Sequence, residues 1–216
     1  MTDALRSRYT WLLAGLLSLV GVLPFVQQAR ANLVVLHALS VALIAAGVLA
    51  VANRRRSVVV ALSLALPSLA LSVAQWAGAP VGVTVLRDAL QTAFAGYTAA
   101  IILADVVRDE RVNAEKIRGA VCVFFMIGAT WAFAYATLLH LDPSAFAFPG
   151  AHEARPGDVF YFSFVTLTTV GYGDVVPVSP AARQLAWLEA AVGQLYLAVL
   201  VARLVGLHTA YGARTD

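Results

Sequence analysis

Charge is the scarcest commodity in this chain. Only 12% of its 216 residues are charged, about half the share of an ordinary soluble domain. A single lysine, Lys116, stands beside 14 arginines, and the net charge is only +3. That excess is too small to suggest a nucleic-acid partner. There is one cysteine, Cys122, inside an apolar run. It has no intrachain disulfide partner and is expected to serve packing. The histidines (His37, His140, His152 and His208) lack the spacing of a metal site. His140 and His152 fall on the expected outer side, as interfacial residues or as sensors of external pH. Paired carboxylates, a nucleophile–base pair and a metal cluster are all missing, so the chain is not expected to be an enzyme. No internal repeat or low-complexity tract is present, and the longest polar stretches are 105–117 and 141–157.

What is abundant is apolar sequence: 61% of the residues, with a mean hydropathy of +0.80. Crossing a bilayer takes about 20 mostly apolar residues. Six runs qualify, at 11–28, 33–52, 57–77, 84–107, 117–140 and 182–206. A shorter apolar piece, 157–169, is too short to cross. Basic residues then set the orientation. With the N-terminus in the cytoplasm, Arg6, Arg8, Arg54, Arg55, Arg56, Arg108, Arg111, Lys116, Arg118, Arg203 and Arg214 lie inside. Only Arg30, Arg155 and Arg183 lie outside, and Arg87 falls near the outer end of span four. Both termini are therefore expected in the cytoplasm, and the 141–181 segment outside. Arg6, Arg8 and the apolar run up to Ala29-Arg30-Ala31 also admit a cleaved signal peptide. The high alanine and arginine content suits a GC-rich bacterial genome, hence a bacterial inner membrane. About ten residues follow span six, and no ligand-binding domain is expected there.

Between the last two spans, residues 166–174 read Thr-Leu-Thr-Thr-Val-Gly-Tyr-Gly-Asp. Together with its flanking spans this motif resembles the potassium channel family. The resemblance implies an all-α membrane protein, a voltage-gated-channel-like plan of six helices with a re-entrant pore helix and filter between helices five and six. It implies a homotetramer, because one filter strand from each of four subunits closes a ring of carbonyls. Those carbonyls, of Thr169, Val170, Gly171 and Tyr172, would replace the water that K+ sheds on entry. Gly171 and Gly173 permit backbone angles closed to other residues. Thr169 can add a hydroxyl ring, while Val170 and Tyr172 are expected to wedge the strand against the pore helix. K+ ions in the filter are the only bound species expected, with no organic cofactor. Membrane lipids and an unknown regulatory partner complete the expected contacts.

Residues around the filter carry further expectations. Pro156, Gly157 and Asp158 suit the start of a helix. By resemblance, Thr166 belongs to the filter's support, and Tyr161 would bond Asp174 or form part of an aromatic cuff. The family's proton-activated bacterial two-helix channel has a pore-helix glutamate where this chain has Val165. Glu189, the carboxylate inside span six, then needs a partner or a proton; Arg183, Ser163, Thr166 and Tyr196 are candidates. Gly193 stands where the family has a hinge glycine, for bending or for close packing. Ala190, Gln194, Leu197, Val201 and Val205 share one helical stripe, facing either a gated cavity or span five.

Spans one to four occupy the place of a voltage sensor without its chemistry. Between Arg87 and Arg108, span four has no basic residue, so steep voltage gating is not expected. Arg87 and Asp88 read as a neutralised interfacial pair. The expected organisation is a peripheral four-helix domain (1–108), a cytoplasmic linker (109–118), a pore domain (119–207) and a short tail (208–216). The linker suits an interfacial helix or a solvated loop. A weakly selective cation pore and a non-conducting regulatory subunit remain as alternatives to a potassium-selective channel.

Overall fold

The computed structural model describes residues 8–27, 33–52, 55–76, 78–108, 114–148 and 156–212. It is almost wholly helical. Helices α1 (Arg8–Gln27), α2 (Leu33–Ala50), α3 (Arg55–Trp76), α4 (Val81–Arg108) and α5 (Ala114–Leu141) come first. A short helix α6 (Pro156–Leu167) and a long α7 (Pro180–Gly212) follow. Among the described residues, α3, α4, α5 and α7 contain stretches long and apolar enough to cross a membrane. In α1 and α2 the apolar stretches searched are shorter, Tyr9–Ser18 and Val41–Ala50. The chain is therefore mostly helical, with four helices of a length and composition that suit a membrane among the described residues.

Local chemistry explains the helix ends. Pro156 and Pro180 stand at the first positions of α6 and α7, where a missing N–H costs nothing. Ser179 accepts a hydrogen bond from Ala182 N at 3.1 Å, an N-cap of the kind worth about 1 kcal/mol. Pro67 sits inside α3. Nearby Ser68 and Ser72 donate to the carbonyls of Ala65 and Ser68, both at 2.8 Å.

Helix α5 is the hub, packing on α4 most extensively and also on α1, α6 and α7. Small side chains of α4 and α5 in one core cluster (Ala95, Ala99, Ala120) let the two backbones come close. The largest core runs through this hub, joining Leu12 of α1, Ala46 of α2, Ile102 of α4 and Val123 of α5. Only residues 109–113 separate α4 from α5, and the two helices pack against each other within one chain. The linker expected at 109–118 is thus shorter. Residues 114–118 already belong to α5, with Glu115 in its first turn, so the expected interfacial helix is not a separate element here. The expected tail from 208 is also helical as far as Gly212.

Two polar clusters tie α4 to α5 at opposite ends. At one, Asp105 and Lys116 form an ion pair of 3.1 Å, and the Tyr9 hydroxyl donates to Asp105 at 2.5 Å. At the other, Asp88 lies between Arg87 and His140. Asp88 is only 1% exposed, so the expected Arg87–Asp88 pair is formed with its carboxylate buried in the protein. The Arg87 Nε and Nη2 donate to its Oδ1 at 2.8 and 2.5 Å, and His140 Nε2 is 3.4 Å from Oδ2. Arg87 also donates to Gln75 of α3, whose amide donates to Thr84 at 2.7 Å.

A two-residue antiparallel ladder pairs β1 (Phe146–Ala147) with β2 (Val176–Pro177) in the register Phe146↔Pro177 and Ala147↔Val176. Val178 N adds a 2.8 Å bond to Ala145 O. The ladder anchors the segment after 166–174 to the loop that leaves α5. His152 and Arg155 lie outside the described residues.

Candidate functional site

Helix α6 ends at Leu167, two residues before the end expected from the sequence. The chain turns back on the helix terminus. Thr168 N donates to Phe164 O at 3.0 Å, Thr169 N to Thr166 O at 2.9 Å and Val170 N to Val165 O at 2.9 Å. From there the backbone alternates. Thr169 has φ +59°, Gly171 +59° and Gly173 +79°, while Val170 and Tyr172 between them are not positive. Positive φ thus falls on every second residue from Thr169 to Gly173. Glycine adopts the left-handed state freely. Thr169 is the one non-glycine residue with positive φ among those described. Such strain persists only where the surroundings enforce it, and it concentrates at functional sites.

The other side chains of this segment lie open. Val170 is 50% and Tyr172 72% exposed in the single chain. Asp174 is held from two directions. Its Oδ2 accepts from the Tyr161 hydroxyl at 2.7 Å and its Oδ1 from Val175 N at 3.1 Å. The bond to Asp174 pushes the Tyr161 phenol up to about 12, so it remains the donor at neutral pH. Of the two roles weighed for Tyr161, the geometry supplies the bond.

Behind the segment, α7 closes on α6. Glu189 is fully buried. Its Oε2 accepts from the Tyr135 hydroxyl of α5 at 2.6 Å, and its Oε1 lies 2.5 Å from Ser163 Oγ of α6. Of the four expected candidates, Ser163 alone is found here. Tyr196 donates to Ala120 O at 2.6 Å, Arg183 to Pro177 O at 3.3 Å, and Thr166 bonds the turn through its carbonyl. Tyr135 carried no sequence signal except its place in an apolar run. One turn beyond Glu189, Gly193 is pressed against the carbonyl oxygen of Leu167. Close packing thus accounts for that glycine. Gln194 donates to Thr169 Oγ1 at 3.3 Å, which puts its amide at the foot of the strand. Gln194, Leu197 and Val201 are exposed on the chain. The side chain of Val205 lies outside the described residues.

A sequence model of a family described as "Ion channel" matches residues 120–209, from α5 to α7. This chain is 44% identical over 60 residues to the inward rectifier potassium channel Kirbac3.1 of Paramagnetospirillum magnetotacticum, covering 26% of this chain and 20% of that one. It is 39% identical over 71 residues to two pore potassium channel b of Oryza sativa subsp. japonica, covering 33% and 18%. It is 36% identical over 86 residues to the potassium voltage-gated channel protein shk-1 of Caenorhabditis elegans, covering 38% and 15%. The chain thus spans a fifth or less of these relatives. No solved structure matches it.

Proposed function

We propose, from the match of residues 120–209 to an ion channel family model, that this chain is one of four identical subunits around a pore that conducts K+ passively. Helices α1–α5 and α7 are the six spans and α6 is the re-entrant pore helix, in a bacterial inner membrane with both termini cytoplasmic. The carbonyls of Thr169, Val170, Gly171 and Tyr172 take the place of the ion's water.

The observation that carries the reading is the alternation of φ at Thr169, Gly171 and Gly173. A chain with no use for aligned carbonyls has no reason to keep it. One strand cannot surround an ion, and the exposed Val170 and Tyr172 offer a surface for a neighbour's pore helix. Gln194 then lines the cavity under the filter, and Leu197, Val201 and Val205 form an apolar throat able to gate by dewetting. Thr166, Tyr161 and Asp174 support the filter's flanks.

The test is ion flux from purified protein in liposomes. Wild type should pass K+ in strong preference to Na+. Gly173→Ala places a methyl group at φ +79° and should abolish that preference while the tetramer survives. An unchanged K+ to Na+ ratio in Gly173→Ala, or a purified particle that is a dimer or trimer, overturns the reading.

A further inference from the structure

Three hydroxyl or carboxyl contacts meet around Glu189, and their protons can be counted. Tyr135 Oη lies 2.6 Å from Glu189 Oε2. Ser163 Oγ lies 2.5 Å from Glu189 Oε1 and 2.8 Å from Gly128 O. Each is within hydrogen-bonding distance, so three protons are required. The two hydroxyls supply only two, because a serine hydroxyl has a single hydrogen. Gly128 O is a carbonyl and supplies none.

With Glu189 ionised, Ser163 must choose. If it donates to Glu189, its oxygen faces the Gly128 carbonyl with no proton between them. If it donates to Gly128, two oxygens face each other at 2.5 Å. An ionised Glu189 would also be an anion without a cation: among the described residues no basic side chain pairs with it. With one proton on Glu189, every contact closes. Tyr135 donates to Oε2, Oε1–H donates to Ser163 Oγ, and Ser163 donates to Gly128 O. The network is then neutral and complete, as an apolar interior demands.

Resting on the channel reading above, we propose that Glu189, held as the neutral acid, is a positioning residue for the filter: it pins the inner helix α7 to the pore helix α6 and the outer helix α5. The pin stands one turn from the contact of Gly193 with Leu167 O, and Leu167 is two residues before the strained Thr169. A loosened pin therefore frees the platform on which the filter strand is built.

The experiment compares Glu189→Gln, Glu189→Ala, Ser163→Ala and Tyr135→Phe in full-length protein reconstituted in liposomes. Glutamine keeps the acceptor for Tyr135 and a donor for Ser163, so its K+ to Na+ ratio should match wild type. Alanine leaves buried hydroxyls unmet and should lower the ratio roughly tenfold, with Ser163→Ala and Tyr135→Phe between. A second readout does not use flux. The infrared carbonyl band of a protonated carboxylic acid should be present in purified wild type at neutral pH. Its Glu189 component should vanish in Glu189→Gln. Glutamine as damaging as alanine, or no band lost in Glu189→Gln, overturns the proposal. Loss of selectivity in none of the variants also overturns it. A wild type that passes no K+ but shows the band would sink the channel reading and leave the neutral acid standing.

Discussion

Among the described residues two carboxylates are buried, and they are buried differently. Asp88, between the peripheral helices and α5, is met by groups that carry or can carry charge: Arg87 on its own helix and His140 across the seam. Glu189, inside the α5–α7 unit, is met by two hydroxyls. Asp88 Oδ2 has no hydrogen bond, whereas both oxygens of Glu189 have a partner. A charge cluster tolerates an imperfect partner because Coulomb attraction falls slowly with distance, whereas a hydroxyl network needs every proton placed. The difference suggests a division of labour. On the channel reading proposed above, the Glu189 side would set the geometry of the filter and the Asp88 side would attach the peripheral helices.

The largest effect should come from the Glu189 side. Gly193→Ala drives a methyl group into the Leu167 carbonyl oxygen, a backbone atom that cannot swing aside. Overpacking of this kind costs typically about 1–3 kcal/mol, occasionally more. The variant should lose K+ over Na+ discrimination or fail to assemble. Gly82→Ala is the control, because nothing lies within 4 Å of its added methyl, and it should behave as wild type in flux and in particle size. Equal behaviour of the two variants would mean that α7 does not lean on α6 as described.

Removal of Asp88 should have an intermediate effect of a different kind. Asp88→Ala leaves Arg87 with Gln75 and leaves His140 without its carboxylate. Loss of such a partner costs about 1–3 kcal/mol. Thermal unfolding in detergent should begin earlier, and proteolysis between α3 and α5 should speed up. The K+ to Na+ ratio in liposomes should not move. A variant that unfolds normally yet loses selectivity would erase the division between the two sides.

How much of this was legible in the sequence follows from the same contrast. The 166–174 segment stood out because a chemistry carried by the backbone needs contiguous residues, and positive φ does recur there at Thr169, Gly171 and Gly173. The apolar helices were legible from hydropathy, within a few residues at each end. Strain at Thr169 was not, since threonine gives no sign of a left-handed conformation. Tyr135 and Glu189 stand 54 positions apart, and nothing in an apolar run says which hydroxyl turns inward. The Arg87–Asp88 pair was legible because its members are adjacent; His140, 52 positions along the chain from Asp88, was not. The charged stretch around 114–118 read as linker, although its Glu115 suits the first turn of a helix.

The smallest effect is expected from Arg87→Gln, and it concerns voltage. One elementary charge moved through 100 mV is worth about 2.3 kcal/mol, and sensor-driven channels move about 3–4 in each subunit. Helix α4 has no basic residue between Arg87 and Arg108. Arg87 is bonded through two nitrogens to Asp88, its neighbour on the same helix. If α4 moved, the pair would travel together and carry no net charge through the field. The sequence alone allowed one gating charge per subunit; the geometry cancels it. In planar bilayers with symmetrical K+ and no blocking ion, conductance should vary only weakly with voltage. Arg87→Gln leaves Asp88 facing only His140, which exposes at most one charge per subunit, so the curve should stay shallow. A steep curve in wild type that flattens in Arg87→Gln would show Arg87 moving apart from Asp88. The peripheral helices would then be a sensor, not an attachment, and the contrast between the two carboxylates would fail at the Asp88 end.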